Sequence, residues 1–84
     1  MVNIFTASFS ELVEMQFGTS VENAVKRALD LTYDYDDMVR LIALYRREQD
    51  PFLDVEDFVK RGNEMGVSAV VNQLKEIEQE LQRK

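Results

Sequence analysis

The sequence predicts an all-α fold, a compact bundle of about five short helices with a long C-terminal helix, and three observations predict it. Ser, Thr or Asp recurs ahead of segments whose apolar residues return every three or four positions. The single proline, Pro51, and the glycines Gly18, Gly62 and Gly66 fall between those segments or at their ends. Only Val2 to Thr6 is β-prone, and a lone strand has nothing to pair with.

Each helix follows from its own punctuation. Ser8 and Glu11 have the S-x-x-E spacing of a capping box, in which the hydroxyl accepts from a first-turn amide and the carboxylate reaches back to the cap. Phe9, Leu12 and Val13 then form an apolar face, joined by Met15 or Phe17, and Gly18 stands where a left-handed cap ends the helix, giving about 8–17. Thr19 and Glu22 repeat the box, and Val21, Ala24, Val25, Ala28, Leu29 and Thr32 keep one helical face. Asp34 caps a third helix, with Asp36 and Asp37 in its first turn where negative charge meets the positive end of the helix dipole. Met38, Leu41, Ile42 and Tyr45 face inward, and Pro51 ends this helix near Gln49 or Asp50. Asp54 caps a fourth, with Val55, Phe58 and Val59 inward, Phe52 and Leu53 stapling its entrance, and the stretch from Gly62 to Gly66 as its exit. The last helix starts at Ser68 or just before it, and Val67, Val70, Leu74, Ile77 and Leu81 follow at the 3, 4, 3, 4 spacing of a heptad seam. No repeat or linker divides the chain, so 1–84 reads as a single helical domain.

Composition narrows the chemistry. With no Cys and no His there is no thiolate nucleophile, imidazole base or disulfide, and no zinc, haem or iron–sulfur site from the usual ligands. A calcium loop fails as well, because Asp34, Asp36, Met38 and Arg40 break the alternation of oxygen ligands. The expectation is a non-enzymatic protein without a metal or cofactor. No Lys or Arg precedes Lys26, and no apolar run reaches signal-peptide or membrane-span length, so a cytoplasmic, unanchored protein is expected. A core of 84 residues without a disulfide is small, which makes association attractive. Val70, Leu74, Ile77 and Leu81 are the candidate self-association residues of a homo-oligomer, with packing onto the domain's own core as the alternative.

Charge points to a partner. Ten Lys plus Arg against sixteen Asp plus Glu leave a net charge of −6. The acids gather in two base-free stretches, Asp30, Asp34, Asp36 and Asp37, then Glu48, Asp50, Asp54, Glu56 and Asp57. If the flanking junctions lie together, these carboxylates form one extended negative surface suited to a basic groove. Helix capping explains some of the same residues. The basic pairs Lys26-Arg27, Arg46-Arg47 and Lys60-Arg61 sit late in helices, where they complement the dipole. The tyrosines and Phe5, Phe9, Phe17, Phe52 and Phe58 are assigned to the interior.

Two family resemblances bear on function. Small size, acidity and helicity are similar to acyl carrier proteins, but none of Ser8, Ser10, Ser20 and Ser68 stands in the Asp-Ser-Leu attachment context, so the likeness ends at size and charge. Met65-Gly66-Val67-Ser68 with Val70, Val71 and Leu74 resembles the turn and second helix of helix-turn-helix DNA-binding domains over about 20 residues. That resemblance implies a regulator reading bases through Asn72, Gln73 and Lys75. The same helix then turns acidic at Glu76, Glu78 and Glu80, so nucleic acid is not the expected partner. The first expectation is an acidic interaction protein, a small inhibitor or regulator of the phage or mobile-element type. It would bind a basic protein surface through Asp34, Asp36, Asp37, Asp50, Asp54, Glu56 and Asp57. A helix-turn-helix regulator and a structural subunit of a larger assembly are the alternatives.

Overall fold

The computed structural model describes residues 8–62 and 64–83, so the expectations for Phe5 and for Val2 to Thr6 lie outside the described residues. Among the described residues the chain is all-α, with five helices and no strand: α1 (Phe9–Phe17), α2 (Val21–Leu29), α3 (Tyr35–Arg47), α4 (Val55–Gly62) and α5 (Val67–Gln82).

The caps work largely as expected, with three shifts. Ser8 Oγ accepts from the Glu11 N–H at 3.3 Å, while its own hydroxyl meets Glu11 Oε1 instead of leaving that carboxylate to reach the cap amide. Gly18 takes φ 68° and its N–H donates to the Glu14 carbonyl, and the chain needs one further residue to turn. Ser20, not Thr19, therefore caps α2 by accepting from the Asn23 N–H. At the far end α2 stops at Leu29 without reaching Thr32. The Leu31 N–H bonds the Ala28 carbonyl and the Thr32 N–H bonds the Arg27 carbonyl, a Schellman closure in which Leu31 occupies the left-handed position at φ 60°. α5 starts one residue before Ser68, capped by Gly66 with no side-chain bond.

α3 lies at the centre and touches each of the other four helices. Met38, Val39 and Leu41 through Leu44 are all buried, more than one face of the helix, which requires neighbours on several sides. α1, α2 and α5 supply them with Leu12, Val13, Val25, Val70 and Leu74. Phe9 meets Tyr45 edge-on at 5.3 Å, and Phe17 stacks on Tyr33 at 5.3 Å, fastening both ends of α1.

The heptad seam of α5 belongs to this core. Val70 and Leu74 are 0% exposed and Ile77 is 2% exposed, leaving only Leu81 half-buried. The expected self-association through these four residues is thus revised: an apolar 3, 4 spacing describes an inward face as well as a coiled-coil seam, and here the inward face is used up by α2 and α3.

α4 is different, since it packs on α3 alone. Only Val59 and Gly62 are buried in it. It runs back along α3: a Cβ at Gly62 would overlap Val39 Cγ1, so the backbones approach closely there. The Tyr35 hydroxyl sits against the carbonyls of Gly62 and Met65, and Arg40 bonds the Glu56 carboxylate. Arg46 lies over the Phe58 ring at 5.9 Å on the other flank.

Candidate functional site

Both acidic stretches are junctions of α3, and a helix holds its two junctions at opposite ends. Thirteen residues at about 1.5 Å each separate them by about 20 Å. The single negative surface expected from all seven carboxylates is therefore interrupted: Asp50 and Asp54 lie at the far junction, while Glu56, on the returning α4, meets Arg40, which also feels Asp37 and Asp36.

At the α3–α4 end the acids have duties inside the fold. Asp50 closes the turn, its carbonyl accepting from the Leu53 N–H at 3.0 Å and its Oδ1 from the Phe52 N–H at 3.3 Å. Asp54 Oδ1 caps α4 by accepting from the Asp57 N–H at 3.1 Å. Glu56 takes both terminal nitrogens of Arg40, and Asp57 pairs with Arg61 at 3.0 Å. Burial and neighbouring carboxylates act on Arg40 too, but the Glu56 bond dominates and holds the guanidinium firmly protonated.

At the α2–α3 end the carboxylates oppose one another. Asp34 Oδ1 accepts from the Asp37 N–H at 3.0 Å, as a cap should. Beside it Asp37 is half-buried, and its carboxyl is raised above the ordinary 3.8, first by desolvation, then by the Asp34 charge and hydrogen bond, with Asp36 adding to them and Arg40 opposing only in part. Two further features of this turn go against the fold's interest. Leu31 is 62% exposed in a left-handed conformation that glycine usually takes, and the Tyr33 hydroxyl is buried with no hydrogen-bond partner among the described residues. Strain, an unsatisfied hydroxyl and like charges thus concentrate between Asp30 and Asp37. Such clustering is typical of surfaces shaped by contact with something else.

Three features lay beyond the sequence reading. Phe52, expected in the interior, is 95% exposed, because the Asp50-Pro51 turn carries it outward before α4 begins. Next to it lies a groove of about 470 Å³ between α1 and the start of α4, floored by Leu12 and Leu44. On the α5 side, Glu80, Glu48 and Glu76 surround Tyr45 and, after desolvation, raise its hydroxyl above 10.0. The Asp-Pro pair was the legible signal for the first; the other two depend on helix packing.

Of the helix-turn-helix residues, Gln73 is engaged within the fold and Asn72 and Lys75 face solvent. α4 and α5 have no close backbone approach among the described residues, and Gln73 accepts from Arg46 Nη2 at 2.8 Å within the fold. Asn72 and Lys75 are exposed, with exposed Glu76 beside them. Among the described residues no group of carboxylates is placed to hold a metal ion, and no helix is long and apolar enough to cross a membrane. Compared with known protein families, with curated proteins and with solved structures, the chain has no match.

Proposed function

We propose that the protein is a non-enzymatic interaction module, a small inhibitor or regulator, that binds a basic surface of a partner protein through the α2–α3 turn. Leu31 supplies the apolar contact, and Asp30, Asp34, Asp36 and Asp37 supply charge for steering and register. One observation carries the reading: an exposed leucine held at φ 60° among carboxylates that repel one another. A glycine there would serve the fold better, so a leucine is best understood by what it touches outside. The lack of Cys and His fits binding over catalysis.

The test is affinity capture from the native host with quantitative mass spectrometry, comparing the wild type with Leu31→Gly, with Asp36→Asn plus Asp37→Asn, and with Glu76→Gln plus Glu80→Gln as a control of equal charge change. The expected result is a partner lost by the first two variants, kept by the third and weakened by added salt. A captured set that ignores both α2–α3 variants contradicts the proposal.

A further inference from the structure

The attachment of α4 differs in kind from that of the other helices, and we propose that α4 is a strap that opens as one unit while the rest of the bundle stays folded. Opening uncovers the side of α3 on which it lies. Among the described residues α4 packs on α3 alone, whereas α1, α2 and α5 each pack on at least two helices. Only Val59 and Gly62 of α4 are buried, and Gly62 has no side chain to contribute. Hydrophobic attachment scales with the apolar area withdrawn from water, so a helix fastened by so little lies at the low end of local stability.

The face beneath the strap is shallow. Tyr35, Val39 and Arg46 all approach α4 and share one side of α3, and Ala43 completes that stripe at helical spacing. Val39 and Ala43 are fully buried but small. Side chains reaching across from α3 supply the rest of the hold. The Tyr35 hydroxyl sits against the carbonyls of Gly62 and Met65, at the end of α4 where helical carbonyls have no partner further along. One O–H serves one of them at a time. Asp54 caps the start of α4 from its own sequence, whereas its other end depends on a residue of α3. Arg40 holds Glu56, and Arg46 lies over the Phe58 ring at 5.9 Å. Such bonds are modest against competing water, and all of them are lost together when α4 lifts.

Hydrogen exchange of the full chain, followed amide by amide in urea below the unfolding transition, tests this. The expected result is that the amides of Phe58 to Arg61 exchange about tenfold or more faster than the slowest amides of α3 and α5. They should also share one urea dependence, because a unit that opens exposes its surface all at once. Tyr35→Phe is expected to speed the α4 amides by about five- to tenfold, the loss of one partly buried hydrogen bond. Ile77→Val, in the buried face of α5, separates the strap from the bundle. It should speed the slowest amides by about two- to tenfold and leave the α4 rates unchanged, since Ile77 keeps its contacts while α4 is open. Wild-type α4 amides as slow as those of α3 and α5, or without urea dependence, would overturn the proposal. So would α4 rates that ignore Tyr35→Phe or follow Ile77→Val. Neither variant alters Leu31 or the carboxylates of the α2–α3 turn, so the two readings fail separately.

Discussion

The two turns at the ends of α3 are built from similar parts and end in different states. Each places an apolar residue in solvent, Leu31 at one end and Phe52 at the other, and each carries aspartates that cap the helix that follows. At the α3–α4 end proline and an aspartate-closed turn make the exposed conformation comfortable, and Arg40 and Arg61 neutralise Glu56 and Asp57. At the α2–α3 end a leucine holds a conformation better suited to glycine, and at Asp37 Arg40 offsets only part of the push from burial, Asp34 and Asp36. Clusters that look alike in the sequence, four acids and then five, therefore differ as surfaces. What decides is whether a base reaches the carboxylate, across helices as Arg40 reaches Glu56 or one turn on as Arg61 reaches Asp57.

Prising α4 away from α3 should produce the largest effect. Gly62→Ala drives a methyl into Val39, which is fully buried, and overpacking of this kind costs about 1–3 kcal/mol. Because α4 rests on α3 alone, the loss should appear first as faster hydrogen exchange throughout α4, with the α2 and α5 amides keeping their protection. Equal loss of protection in all helices would show that α4 is no separate layer.

The strained end should respond in the opposite direction. Leu31→Gly relieves the left-handed leucine while giving the unfolded chain more freedom, a net gain of about 0.5–1 kcal/mol in urea denaturation. Stability gained together with partner binding lost is the combination expected of a residue kept for contact. A loss of stability would mean that Leu31 serves the fold.

Acidity offers a finer probe. A carboxyl raised in the folded state contributes stability that is fully present below its unfolded value and is lost as pH rises through the folded one. Asp37→Asn removes that loss. Its melting temperature should therefore draw ahead of the wild type as pH climbs past 3.8, by a small margin, since Asp37 is only half-buried.

Much of the fold was legible because each helix announces itself locally. Ser8, Asp34 and Asp54 cap as their spacing implies, and Gly18 closes α1. The misreadings arise where local rules compete. Thr19 and Ser20 both fit a cap, and geometry after Gly18 selects the second. With no glycine to mark the end of α2, Thr32 read as part of the helix, although Leu31 had already taken the left-handed turn. Phe52 fits a hydrophobic staple and an Asp-Pro turn equally well, and the turn prevails. The α5 spacing fits a coiled coil or a core helix, since two heptads do not distinguish them. The candidate site was half legible. Its carboxylates stand together in the sequence, but the Arg40–Glu56 bond joins residues 16 positions apart and belongs to packing.

The most direct measurement of the contrast is urea denaturation of two matched variants. Asp36→Asn with Asp37→Asn removes charges that oppose each other at the α2–α3 end, where relief of repulsion offsets the lost dipole interaction. Glu56→Gln with Asp57→Asn removes the partners of Arg40 and Arg61. The expected result is unchanged or slightly higher stability for the first pair and a loss of about 1 kcal/mol for the second. A first pair that costs as much as the second would show that both clusters serve the fold alike, and would contradict the distinction between them.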